Sequence, residues 1–140
     1  MNKIAIYIII MLVLSPVAFF TWMAYKMNYP DTGINVRSFS RIPNAAHEIY
    51  YVDEPLYGQC FFTLGKDEFK TWIVEKKYTD HKISNPDSNR FITSKINGFQ
   101  MEITDCKKAE LYEWRDVDGG GFSISYFAEN GLVVYDWSSN

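Results

Sequence analysis

The stretch Arg115–Trp137, RDVDGGGFSISYFAENGLVVYDW, decides how the chain folds. Its two aspartates and three glycines suit a calcium loop, and they equally suit a sheet turning a corner. An EF-hand loop needs oxygen ligands at positions 1, 3 and 5, glycine at 6 and glutamate at 12. Counting from Asp116, Asp118 and Gly121 fit, but position 5 is Gly120 and position 12 is Phe127. The ligand set fails, and calcium is set aside.

Hairpins fit better. A three-residue loop, Val117–Asp118–Gly119 with Gly119 left-handed, pairs Asp116 with Gly120. It sets Trp114 opposite Phe122 and Tyr112 opposite Ile124. Further on, a two-residue turn at Asn130-Gly131 predicts Glu129 opposite Leu132 and Ala128 opposite Val133. In that register Tyr126 meets Tyr135 and Ile124 meets Trp137 on one apolar face. Phe127 with Val134, Ser125 with Asp136 and Ser123 with Ser138 fall on the other. One apolar and one mostly polar face is what a half-buried antiparallel sheet requires.

Working outward, HEIYYV (47–52) and YGQCFFTL (57–64) flank the turn-like Asp53-Glu54-Pro55 and read as an antiparallel pair. Ile49 and Tyr51 share the inward face with Cys60, Phe62 and Leu64, leaving Tyr50 and Val52 outward. KDEFKTWIVEKKY (66–78) reads as a helix. Phe69, Trp72 and Ile73 form its buried stripe, with acids in the first turn and lysines in the last. Residues 79–90 read as a loop. FITSKINGFQMEIT (91–104) reads as a hairpin about Asn97-Gly98, pairing Ile96 with Phe99, Ser94 with Met101 and Ile92 with Ile103. The expected fold is α+β: an antiparallel meander sheet with one helix packed on it, preceded by an N-terminal transmembrane helix.

That N-terminal helix is read from Ile4–Tyr25, 22 residues without a charge. As a helix it spans roughly 33 Å, close to a hydrocarbon core of about 30 Å. Trp22, Tyr25 and Tyr29 gather at one end, as at a membrane interface. A cleaved signal peptide is the rival reading, since Lys3 and Ile4–Leu14 give its first two regions. Cutting after Ala18 or Ala24, however, puts Pro16 or Trp22 where a small residue belongs. The expected organisation is an anchor over 1–25, a linker over 26–46 with Pro30, Gly33 and Pro43, and a soluble domain over 47–140. The short tail before the anchor favours a domain on the non-cytoplasmic side of a single-pass membrane protein.

The formal net charge of −3 shows no basic excess, so nucleic acid is not an expected partner. Cys60 and Cys106 are a candidate disulfide; the opposing view keeps Cys60 as a core residue. His47, Cys60, His81 and Cys106 lack the spacing of a zinc site. Glu110, Glu113 and Asp116 offer a carboxylate pair, though a solvated strand face accounts for them as well. No catalytic residue, cofactor or metal is assigned. The one candidate contact surface is Tyr50, Val52, Phe127 and Val134, which together would form an outward apolar patch.

IPNAAHEIYY (42–51), DEFKTW (67–72) and GGGFSISYFAENGLVVYDWSS (119–139) resemble segments of small bacterial proteins of unassigned activity. Those proteins pair an N-terminal anchor or export signal with one compact domain. The resemblance implies an envelope protein and brings no activity with it. The expected function is a membrane-anchored interaction module, either an immunity-type inhibitor or an accessory subunit contacting another envelope protein. The alternatives are a small enzyme with dispersed catalytic residues, or a secreted domain released by cleavage.

Overall fold

The computed structural model describes residues 3–84, 92–96, 99–103 and 109–139. The chain divides into two units, Met1–Pro30 and Asp31–Asn140. The first is one helix, α1 (Lys3–Asn28), with Pro16 inside it. Among the described residues no helix is long and apolar enough to cross a membrane, so the expected transmembrane helix is not supported by them. From Met11 onward α1 carries Ser15, Pro16, Thr21, Lys26 and Asn28, which dilute its apolar character.

The second unit is α+β. Its strands are β1 (Asp31–Val36), β2 (His47–Asp53), β3 (Tyr57–Thr63), β4 (Lys82–Ile83), β5 (Ile92–Ile96), β6 (Phe99–Ile103), β7 (Ala109–Arg115), β8 (Gly121–Phe127) and β9 (Leu132–Ser138). Seven of them form one antiparallel sheet in the order β1-β2-β3-β9-β8-β7-β4. Two three-stranded meanders thus join edge to edge through β3 and β9. The hairpin β5–β6 is separate, with Ile96 opposite Phe99, Ser94 opposite Met101 and Ile92 opposite Ile103, as expected. Its turn, Asn97-Gly98, lies outside the described residues.

The β7–β8 turn is as the glycines predict. Gly119 takes φ +96°, and the Asp116 N–H donates to the Gly120 carbonyl at 2.7 Å. The β8–β9 register differs from expectation by two residues: Phe127 faces Leu132, and Ile124 faces Tyr135. Four residues, Ala128–Gly131, make this turn. The Gly131 N–H donates to the Phe127 carbonyl at 2.9 Å, and Gly131 sits at φ +70°. The Gly131 carbonyl then accepts from the Leu64 N–H at 2.9 Å, tying the turn to the end of β3. Because side chains alternate with period two, a slip of two leaves every residue on its expected face.

The stretch expected to be a linker departs most from the structure. It holds the end of α1, all of β1, and a segment packed on the sheet. Phe39 stacks on Tyr51 with ring centroids 4.1 Å apart, and Ile42 and Ala46 are buried in the core. β1 carries a register shift between Gly33 and Val36 and a left-handed Asn35, so it breaks the alternation by which a strand is recognised.

Helix α2 (Lys66–Glu75) lies on the main apolar face. Phe69 stacks on Tyr126 at 4.1 Å, and Trp72 meets Phe62, Tyr78 and Tyr135 edge-on at 5.6–5.9 Å. Each of Phe69, Trp72 and Ile73 is buried, contributing on the order of 2 kcal/mol. The helix ends three residues before the expected Tyr78. The Tyr78 N–H donates to the Ile73 carbonyl, the Lys77 N–H to that of Val74, and Lys77 sits at φ +58°. That is a Schellman stop with lysine where glycine is usual. A short 3-10 turn, Thr79–His81, and β4 then occupy part of the expected loop.

Cross-strand partner to Trp137 is Gly58, and a Cβ there would come within 2.0 Å of the indole. The ring lies over bare backbone, so a side chain at 58 would displace it.

Two stability outcomes follow from this packing. Trp72→Ala should cost roughly 3–5 kcal/mol. Trp72→Phe should cost clearly less, because the indole N–H is buried with no hydrogen-bond partner among the described residues, a condition that itself costs about 1–3 kcal/mol. Urea unfolding of both variants checks the ranking, and equal losses would refute the packing account. Lys77→Gly should raise stability by about 0.5–1 kcal/mol, the left-handed penalty less the extra freedom glycine gains when unfolded.

Candidate functional site

The described concavity is a groove of about 540 Å³ between α2 and the segment Ile42–Ala45. That segment has no regular structure, yet it is firmly held. The Arg41 guanidinium lies 4.8 Å from the centre of the Trp137 ring and 3.8 Å from the Asp53 carboxylate. Ile42 and Ala46 donate their N–H groups to the Phe39 and Pro43 carbonyls. The opposite wall is the outer stripe of α2, which offers Glu68, Thr71 and Glu75 at helical spacing together with Asp67 and Lys76. Trp72 and Ile42 supply apolar lining. Three carboxylates against one ammonium give the groove an acidic rim.

Asp67 and Glu68 also serve the helix, since negative charge in a first turn complements the dipole. The groove is suited to holding a basic group with an apolar stem. Its lining includes no histidine and no cysteine. One wall comes from the stretch that reads as a linker, so the sequence pattern does not reveal the site. The spacing of Phe39, Ile42 and Ala46 (i, i+3, i+7) was the available signal.

The expected patch is assembled, and only part of it is exposed. Tyr50, Val52, Phe127 and Val134 do cluster, around Phe61, on the face opposite α2. Val134 is 0% exposed and Phe61 1%, so this is a second small core. β5 lies near β2. Alternation distinguishes two faces of a strand, but it cannot tell an open face from one covered by a distant segment.

A polar row crosses the same face. Glu113 pairs with Ser123, Ser123 with Asp136 and Asp136 with Gln59. The Asp136 carboxylate accepts hydrogen bonds from the Gln59 amide and from the Tyr57 hydroxyl, the latter at 3.3 Å. Partial desolvation, with the Asp136 charge beside it, pushes the half-exposed Tyr57 phenol up to about 12. On the helix face, Lys82 bridges Glu110 at 2.9 Å while the Tyr112 hydroxyl donates to the same carboxylate at 3.3 Å. The hydrogen bond from Lys82 lowers the Glu110 pKa. The pair therefore stabilises above the ordinary glutamate range and loses that effect as pH falls; its worth is under about 1 kcal/mol because it is half exposed.

Glu110 and Glu113 point to opposite faces and Asp116 accepts from the Val117 N–H at 2.7 Å, so the three do not converge. Cys60 is a free thiol buried in the core, and burial raises its pKa strongly. Its expected disulfide partner, Cys106, lies outside the described residues. His47 is exposed, while His81 packs edge-on against Phe122 at 5.5 Å. Among the described residues no group of three potential ligands could hold a metal ion. The chain matches no protein-family model, no curated protein and no solved structure.

Burial also raises the phenols of Tyr51, Tyr112, Tyr126 and Tyr135. A raised pKa favours the neutral form in the folded state, so this stabilisation is complete below pH 10 and declines as pH climbs through the folded values. Thermal melts should hold steady from pH 7 to about 9 and fall steeply above about 10. Ultraviolet titration should leave these phenols protonated until the sheet melts; reversible ionisation of all ten tyrosines near 10 in the folded protein would contradict their burial.

Proposed function

We propose that the protein is a single-pass, membrane-tethered contact module of a bacterial envelope, holding a partner in the groove between α2 and Ile42–Ala45. The observation that carries the tether is the character of α1. Met11, Leu12, Val13 and Leu14 are consecutive and all exposed, and Val17, Phe19, Phe20, Trp22 and Tyr25 follow. At about 100° per residue, four consecutive positions cover the whole circumference, so no single face is set aside for packing on protein. Joined to the uncharged run that starts at Ile4, this pattern suits lipid on every side.

The acidic rim and apolar lining of the groove support a basic partner segment. Rim charges of this kind act chiefly on encounter rate and specificity. An immunity-type inhibitor and an accessory subunit both use such a contact, and the identity of the partner would separate them.

One experiment addresses both halves. The full-length chain, carrying a photo-crosslinking residue at Thr71, is expressed, and its membranes are washed with alkaline carbonate. The expected outcome is full-length protein retained in the membrane and a discrete protein adduct that Glu75→Lys abolishes. Full-length protein with its first segment intact in the soluble fraction would overturn the tether. Retention with no adduct would overturn the groove.

A further inference from the structure

We infer that Asn130-Gly131 is a covalent modification site, closed in the folded sheet and open once the β8–β9 turn comes apart. There the Asn130 side-chain amide is lost through a cyclic imide, and the chain keeps a permanent record of having opened.

The chemistry needs only water. The Gly131 backbone nitrogen attacks Asn130 Cγ and an N–C bond forms. The Cγ–Nδ2 bond breaks, and ammonia leaves with the proton that the Gly131 nitrogen gives up. Water then opens the resulting imide ring at either carbonyl. One opening gives aspartate. The other gives isoaspartate, whose main chain runs through the side-chain carbon and is one methylene longer. Glycine as the second residue sets no side chain beside the attacking nitrogen and leaves the backbone free to bring Cγ to it.

The fold holds both reacting groups. The Gly131 N–H donates to the Phe127 carbonyl at 2.9 Å, which fixes the nitrogen and its proton. Asn130 Oδ1 accepts from the Leu132 N–H at 3.1 Å, which fixes the amide. The Gly131 carbonyl accepts from the Leu64 N–H at 2.9 Å, so the same residue is anchored to the end of β3 as well. Asn130 is exposed, so water reaches it freely and geometry alone withholds the reaction.

The liability is built into the turn. Gly131 sits at φ +70°, and a Cβ there would come within 2.8 Å of the Leu64 carbonyl oxygen. Asn130 supplies the acceptor for the Leu132 N–H. The two residues this turn requires are therefore the two that the imide requires once the turn opens.

The products differ in what they permit. Aspartate keeps the chain length and an oxygen for the Leu132 N–H. Isoaspartate lengthens the main chain between Phe127 and Leu132, which are partners in the register, so Gly131 cannot reach Phe127 and Leu64 together. An isoaspartate chain is thereby kept from closing the turn against β3.

Imide formation is slow beside folding, so its rate follows the open fraction. The full-length chain, in nonionic detergent at mildly alkaline pH, is aged across a urea series. Fragmentation mass spectrometry follows residue 130 separately from every other amide. Conversion in native buffer should be at least about tenfold slower than in concentrated urea and should track the unfolded fraction between them. A rate at 130 that stays flat across the transition would overturn protection by the fold. Aged chains are then returned to buffer, and refolded protein is separated from aggregate. The refolded pool should hold asparagine and aspartate at 130 but be depleted severalfold in isoaspartate. An undiminished isoaspartate share would overturn its exclusion from the sheet.

Discussion

Tyr57–Thr63 and Leu132–Ser138 run antiparallel through seven consecutive residue pairs, and the seven-stranded sheet with α2 on it depends on that seam. On one side β1 and β2 extend the sheet; on the other β8, β7 and β4 do. The halves have three and four strands, and each alone has an apolar face to hide. Joined, they make a surface broad enough for α2 to cover with Phe69, Trp72 and Ile73, and they bring Phe61 beside Val134 on the reverse. The aromatic layer under α2 exists because β3 contributes Phe62 while β8 and β9 contribute Tyr126 and Tyr135.

Much of this was legible in the sequence, for a reason particular residues make plain. Alternation in FSISYF and LVVYDW places Ile124, Tyr126, Val133 and Tyr135 inward whether the turn has two residues or four. Face is therefore robust where register is not. The helix was legible from its stripe and its charges, but not its end, because a lysine in left-handed conformation gives no signal that glycine would have given. The β3–β9 seam was illegible, since the partners are distant in sequence and any apolar strand could have filled the place.

The functional residues were harder to read, and the causes differ. Tyr50, Val52, Phe127 and Val134 do group on one face, but Val134 is buried while the other three stay partly exposed, a difference that a strand's own alternation does not show. The groove was missed because Pro43 and Gly33 suggested a linker, although Phe39, Ile42 and Ala46 pin that stretch to the core. Two of its carboxylates, Asp67 and Glu68, have a second task at the helix N-terminus, so residue type alone does not mark them as binding groups.

The seam also sets a schedule for assembly. β9 is synthesised after every other strand, yet it belongs at the middle of the sheet, between β3 and β8. The first meander must therefore wait, with Phe61 and Phe62 uncovered, until the last strand emerges. Closing such a distant pairing is intrinsically slow. During that interval the unpaired edge of β3 is open to wrong pairings.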